Sequence, residues 1–180
     1  NALYALGGVP LLSATIGKIT GLPVDYYITL NFKGFRKIID TLGGVVFDVP
    51  INMHYDDPVQ NLHIHLNKGV QLLDGKKAEG LVRFRKGNDG TSGYEDGDIG
   101  RIKIQQEFLK ALIQQKLKLR YISKADEIFS ILKEHMKTNI EISDVRNHIK
   151  YIKNFDSEQI KSFTLPGESV YQNKLWYFVY

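Results

Sequence analysis

The sequence predicts an α/β fold, an α-β-α sandwich layered around a central mixed sheet. Three observations point there. A strand, a helix and a strand follow one another through residues 26–49 with short links. A long amphipathic helical pattern runs from Arg101 to about Leu117. Two further β-like runs, Ile160–Leu165 and Leu175–Val179, close the chain. No repeat, low-complexity tract or linker interrupts the 180 residues, so a single domain, 1–180, is expected.

Each element has a local reason. Leu11–Ile19 reads as a short helix, closed by Gly21 and Pro23. Tyr26–Leu30 is aromatic and β-branched, hence a strand. Asn31 is placed to cap a helix from Phe32 to Leu42, where Phe35, Ile38, Ile39 and Leu42 form one apolar stripe. Gly43-Gly44 stops that helix, and Val45–Val49 is a strand ended by Pro50. Residues 52–62 are polar and turn-rich, His63–Leu66 is a short strand, and Asn67-Lys68-Gly69 is a turn. Asp74 caps a helix running through Ala78 toward Val82. Gly87–Gly97 holds four glycines in eleven residues, which predicts a mobile loop. The helix from Arg101 turns Ile104, Phe108, Leu112 and Ile113 inward. A helix over Ala125–Met136 and a second from a Ser143 cap to Phe155 precede the closing strands.

Composition narrows the function classes. With 43% apolar and 24% charged residues the chain can bury an ordinary globular core. The net charge of +4 favours anionic partners without choosing among them. The absence of cysteine excludes disulfides and thiolate metal sites. No stretch reads as the ~18 apolar residues of a membrane helix, and no signal peptide opens the chain. Asn1-Ala2-Leu3-Tyr4 has no initiator methionine, which suggests a piece of a larger precursor.

The richest segment is Leu81–Gln106, LVRFRKGNDGTSGYEDGDIGRIKIQQ. Arg83 and Arg85, two apart, share a face if the backbone there is extended. Arg101 opens the following helix, Gln105 lies one turn on, and Asp98 stands three residues before Arg101 to orient a guanidinium. Guanidinium forks at the mouth of a helix suit phosphate. The alternative is a solvated, self-paired loop, because Arg83, Arg85, Lys86 and Arg101 balance Asp89, Glu95, Asp96 and Asp98. A second constellation, His63-x-His65 with Asp56 and Asp57 nearby, offers either ligands for a transition metal or plain edge-strand residues. There is no GxGxxG, P-loop or GxSxG motif, and the aromatic run from Trp176 to Tyr180 reads as a closing core strand. Basic residues are scattered, so no nucleic-acid groove or recognition helix is indicated.

Several blocks resemble the LytR-CpsA-Psr family of cell-envelope proteins, also labelled the cell envelope-related transcriptional attenuator domain. They are NALYALGG, DYYITLNFKGFRKIIDTLGGVVFDVP, YDDP followed by LHIHLNKGVQLLDGKKAEGLVRFRKG, DIGRIKIQQEFLKAL, and the closing FTLPGES and LWYFVY. The resemblance covers nearly the whole chain. It implies a protein anchored by one N-terminal membrane helix, with its catalytic domain outside the cytoplasm. The implied activity is a phosphotransferase that moves a glycopolymer (wall teichoic acid, capsule or a similar polymer) from a polyprenyl-pyrophosphate carrier to peptidoglycan, leaving a phosphodiester on a muramic acid hydroxyl. Its implied catalytic residues are Arg83, Arg85 and Arg101. Asp98 and Gln105 join them as substrate-binding residues that contact the pyrophosphate or hold its contacts. The lipid would need an apolar tunnel between sheet and helices, with the first two helices contributing. Magnesium is the implied cofactor, its aspartate ligands expected mainly in an upstream segment that this chain lacks, together with the first core strands. Asn88–Glu95 looks like an insertion relative to the shortest family loops. A non-catalytic module that holds polyprenyl phosphates or wall polymer is the alternative reading.

Overall fold

The computed structural model describes residues 2–116, 125–141, 160–162, 164, 166–172 and 175–179. In chain order its first elements are α1 (Ala2–Thr20), β1 (Ile28–Leu30), α2 (Phe32–Thr41), β2 (Val45–Val49), β3 (Met53–Asp57), β4 (Leu62–Leu66) and β5 (Gly69–Leu73). They are followed by α3 (Gly75–Arg83), α4 (Asp98–Lys116), α5 (Ala125–His135), β6 (Met136–Thr138), β7 (Glu168–Gln172) and β8 (Leu175–Val179). The class is the mixed α/β one expected, and the described strands build it from four antiparallel pairs: β1 with β6, β2 with β5, β3 with β4, and β7 with β8. Contacts divide the chain into two units, Asn1–Gly44 with Lys118–Phe155, and Val45–Leu117 with Asp156–Tyr180.

In the first unit, α1 is longer than the helix expected over Leu11–Ile19. It joins two helical segments across Gly8, whose φ of 62° and ψ of −153° only glycine adopts readily, with Pro10 just beyond. By length and composition Leu3–Thr20 is long and apolar enough to cross a membrane, and none of it is buried. This corrects the expectation that no such stretch exists. Glycine, serine and threonine dilute the apolar run and hide it from a residue-by-residue reading. Gly21, at φ 70°, ends the helix as expected, its N–H donating to the Gly17 carbonyl at 2.9 Å. The β1 strand is shorter than Tyr26–Leu30, and its partner β6, directly after α5, was not foreseen. Asn139 ties the preceding segment down by accepting from the Tyr27 N–H at 3.0 Å and donating to the Asp25 carbonyl at 2.7 Å.

The α2 helix follows its sequence signals closely. The Asn31 side chain accepts from the Gly34 N–H at 2.9 Å. At the other end the Gly43 and Gly44 N–H groups donate to the Asp40 and Ile39 carbonyls, each at 2.9 Å, with both glycines at φ 76°. That is a Schellman stop, which needs the left-handed backbone glycine supplies.

The second unit holds most of the described core: Val45, Phe47, Val49, Met53, Ile64, Leu66, Leu73, Ala78, Leu81, Phe84, Ile104 and Phe108 are buried. Each large side chain among them contributes about 1.5–3 kcal/mol through removal from water. Phe47 of β2 meets Phe108 of α4 edge-on, with ring centroids 5.8 Å apart. The β3 strand lies within the stretch read as turn, because its outward residues His54 and Asp56 are polar, and β5 was not read as an element, its outward residues Val70 and Leu72 being apolar so that no alternation shows. Toward the end of the chain, Ile160–Ser162 and Thr164 are not in a strand, and β7 lies further on at Glu168–Gln172. The expected β8 stands at Leu175–Val179. The helix expected from Ser143 to Phe155 lies outside the described residues.

Candidate functional site

The helix α3 starts where Asp74 accepts from the Lys77 N–H at 2.8 Å. It buries Ala78 and Leu81 and ends at Arg83. Four residues apart on one face, Glu79 and Arg83 pair at 2.8 Å, with the Glu79 side chain 5% and the Arg83 side chain 19% exposed. The other Arg83 terminal nitrogen donates to Gln60 Oε1 at 2.6 Å. Gln60, in the turn between β3 and β4, is itself held: its backbone N–H and side-chain amide donate to Asp57 at 3.1 and 2.6 Å. These donors, the Gln60 backbone first, keep the Asp57 carboxyl below the usual carboxylate range. Arg83 is therefore braced from two sides, one of them a separate hairpin.

After Arg83 the chain turns extended at Phe84 (φ −60°, ψ 135°), which is fully buried. Arg85 emerges exposed, and its guanidinium makes no hydrogen bond or ion pair among the described residues. The shared face expected for Arg83 and Arg85 is thus split: one is half-buried at a helix end, the other open to solvent.

The glycine-rich loop expected to be mobile folds as a tight hairpin. The Tyr94 N–H donates to the Arg85 carbonyl at 3.3 Å, Lys86 pairs with Gly93, and the Gly87 N–H donates to Ser92 at 2.7 Å. Asp89 Oδ1 collects the Thr91 N–H, the Ser92 N–H and the Ser92 hydroxyl at 3.0, 2.9 and 2.8 Å. The Asn88 amide docks the tip on β3, accepting from the Asp56 N–H at 2.6 Å and donating to the Asp56 carbonyl at 3.0 Å. Asn88 and Asp89 supply these side-chain bonds, which a count of glycines does not show.

The Asp89 bonds carry a pH signature. The Ser92 backbone N–H, then its hydroxyl, draw the Asp89 carboxyl from its usual 3.8 down to about 2. A depressed value means the loop keeps these bonds above pH 3.8 and loses them as pH falls through about 2. The Thr91 and Ser92 amide resonances are expected to hold steady from pH 7 to 4 and to move only near pH 2. A transition centred near 3.8 would contradict this bonding.

The α4 helix begins at Asp98, so Arg101 stands within its first turn rather than opening it. Asp98 complements the positive end of the helix and pairs with Arg101 at 2.5 Å, the orienting role expected of it. Arg101 is 28% exposed, yet its Nε is buried with no hydrogen-bond partner among the described residues. The Tyr94 hydroxyl is likewise buried with no partner among them. Tyr94 packs edge-on against Phe84 at 5.9 Å and lies over Gly100, where a Cβ would come within 2.5 Å of the Tyr94 Cβ. Burial first, and the Glu107 charge second, push its phenol well above the ordinary value. Gln105 donates to the Val82 carbonyl at 2.8 Å, tying α4 to the residue just before Arg83. The Gln105–Val82 bond thus ties α4 to the C-terminal end of α3, where Arg83 is the last residue, and Arg101 stands one turn before Gln105.

Part of the self-paired alternative is also present, since Arg101 pairs with Asp98, and Asp96 is taken up by Lys103 at 2.6 Å. Arg83, however, pairs outside the loop. Sequence reading missed Glu79, Gln60, Asn88 and Tyr94 as parts of this site. Glu79 was findable from its four-residue spacing to Arg83, and Tyr94 as the lone aromatic in a glycine-rich loop. The other two are brought in by tertiary pairing. A cleft of about 310 Å³ beside β1 and β6 and one of about 220 Å³ beside β4 and α3 are lined by other residues, not by Arg83, Arg85 or Arg101.

His63 and His65 share a face of β4 as expected, and the carboxylate that meets them is Asp56, not Asp57. Among the described residues these three form the one cluster with metal-ligand spacing. Two of its donors are nitrogen, whereas magnesium takes oxygen. This cluster is therefore not built for magnesium.

The sequence pattern of the LytR_cpsA_psr family matches residues 1–180. Regulatory protein MsrR of Staphylococcus aureus (strain COL) is 32% identical over 173 residues, 96% of this chain and 50% of that protein. The polyisoprenyl-teichoic acid–peptidoglycan teichoic acid transferase TagV of Bacillus subtilis is 30% identical over 181 residues, 99% of this chain and 45% of that one. The TagV crystal structure matches with a TM-score of 0.77 at 29% identity, over 99% of this chain and 66% of that chain. A structure of TagT bound to LI-WTA matches with a TM-score of 0.69 at 27% identity, over 98% of this chain and 62% of that chain. The chain spans about half the length of the curated relatives it matches. Matched from its first residue to its last, the chain belongs to the LytR_cpsA_psr family.

Proposed function

We propose that this chain is part of an extracytoplasmic, membrane-anchored phosphotransferase that moves a glycopolymer from a polyprenyl-pyrophosphate carrier to peptidoglycan. Family membership and the transferase name of TagV support the reading. The observation that carries it is the state of two arginines at one helix junction. Among the described residues, Arg85 is exposed without an acidic partner, and Arg101 keeps a buried Nε with no acceptor. Both are donors in want of an anion.

In the reaction a peptidoglycan hydroxyl oxygen forms a bond to the phosphorus that bears the polymer. The bridging P–O bond breaks, polyprenyl phosphate leaves with the electron pair, and the hydroxyl proton is lost to water. Arg85 and Arg101 bind non-bridging oxygens and offset the charge gathering on the leaving phosphate. Arg83, its fork engaged by Glu79 and Gln60, holds the α3 end against the β3–β4 turn and so fixes where Phe84 and Arg85 emerge. Asp98 orients Arg101, and Gln105 keeps the two helix ends together. Magnesium would be held by carboxylates outside the described residues and would add to charge neutralisation on the diphosphate.

The test is release of polyprenyl phosphate from lipid-pyrophosphate-linked polymer, with peptidoglycan and magnesium, by the full-length protein. Arg85→Ala is expected to lower that rate about 100-fold, as loss of one preorganised donor does. Its melting temperature should not move, because the side chain is exposed. Binding of the lipid pyrophosphate with no magnesium-dependent release would instead establish a holding module and overturn the enzymatic reading.

A further inference from the structure

The β3–β4 hairpin pairs His54 with His65 and Asp56 with His63. Alternate residues of a strand share a face, so all four side chains stand on the solvent side, opposite buried Met53, Leu62, Ile64 and Leu66. His63 Nδ1 lies 2.5 Å and His65 Nε2 3.1 Å from Asp56 Oδ1. One donor atom from each of these three residues falls within 4.8 Å of the others. His54 Nδ1 is 3.5 Å from the remaining nitrogen of His65.

We propose that this face is a transition-metal site, in which His63 Nδ1, His65 Nε2 and the Asp56 carboxylate take a zinc-class dication. Two imidazoles and a carboxylate are the donor set such ions prefer. A tetrahedral ion with bonds near 2.0–2.1 Å holds its ligands about 3.3 Å apart. The two His–Asp separations need to open by less than about 1 Å and the two imidazoles, whose ligand atoms lie within 4.8 Å, to close by at most about 1.5 Å, which rotation of exposed side chains supplies. The fourth position faces solvent and suits water. His65 bound through Nε2 must carry its proton on Nδ1, and His54 Nδ1 is placed to accept it. His54 is thus a positioning residue that fixes the His65 tautomer and ring. The hairpin offers a firm base, since the Asn88 amide brackets the Asp56 backbone on its edge and the inner face is buried.

The site is separate from the arginine junction and does not depend on the transferase reading. Calorimetric titration of the chain with zinc chloride in chelator-free buffer is expected to show one ion per chain. His63→Gln and His65→Gln should each weaken binding at least 100-fold. His54→Gln should weaken it about 10- to 100-fold while one ion per chain remains, the usual effect of losing an outer partner. Cobalt(II) should give a ligand-field absorption band that the His63 and His65 variants lose. Equal melting temperatures with EDTA present would show the variants folded. Zinc binding that is absent, or unchanged in the His63→Gln/His65→Gln double variant, overturns the site. An unchanged affinity in His54→Gln overturns the role given to His54.

Discussion

Arg83→Ala is expected to lower the stability of the chain by about 3 kcal/mol, mainly through what it leaves behind. Glu79 is 5% exposed and faces Arg83 at 2.8 Å. Removing one member of a largely buried pair strands the other charge in a poor solvent, at about 3–5 kcal/mol. The lower end applies because the Arg83 side chain is 19% exposed, so water screens part of the loss. The variant also frees Gln60, which Arg83 holds at 2.6 Å, and loosens the β3–β4 turn from α3. For a chain of this size the loss corresponds to a melting temperature roughly 6–12 °C lower. Arg83→Lys should fall in between, because a single ammonium cannot span Glu79 and Gln60 as the fork does. Joint replacement, Arg83→Met with Glu79→Leu, should recover most of the stability, since it leaves no charge unpaired. A single Arg83→Ala variant that melts within 1 °C of the parent would show that the pair does not brace the helix.

The contrast between what the residues announced and what they concealed follows from the range of each signal. The α2 cap at Asn31, the Gly43-Gly44 stop and the Asp74 cap are bonds spanning three to five residues, and a linear reading finds them. The β2 strand was equally plain, with a buried alternating face and Pro50 behind it. By contrast, β6 is three residues long and exists because Met136 meets Leu30 far away in the chain. Likewise β3 carries a polar outward face and β5 exposes Val70 and Leu72, so neither alternates plainly, and only pairing with β4 and β2 shows them as strands. In the arginine segment, the Asp98–Arg101 pair was foreseen from its three-residue spacing. The partner that engages Arg83 across the hairpin, Gln60, was not, since it comes from a different element. The same limit hid the third member of the His63–His65 cluster. Two adjacent aspartates stood nearby, and register alone turns Asp56 rather than Asp57 toward the imidazoles.

Arg101→Ala should separate chemistry from stability in the opposite sense to Arg83→Ala. Its partner Asp98 is half exposed at the start of α4, so the pair contributes only about 0–1 kcal/mol and its loss should barely shift the melting temperature. The unpartnered Nε, in contrast, is buried and preorganised, and a donor of that kind acts where charge develops. An arginine that meets a phosphoryl group in its transition state is worth about 10³-fold or more in rate. Polymer transfer by the full-length Arg101→Ala protein is therefore expected to drop about 1,000-fold. Arg101→Lys should recover a minor part, because it restores charge but not the directed Nε–H. Asp98→Asn keeps the shape and removes the orienting charge, so a drop of roughly 10-fold is expected, the usual effect of losing a partner that orients a functional group. Transfer by folded Arg101→Ala within threefold of the parent would remove this guanidinium from the reaction and, with it, the reading of the α3–α4 junction as the place where diphosphate is held.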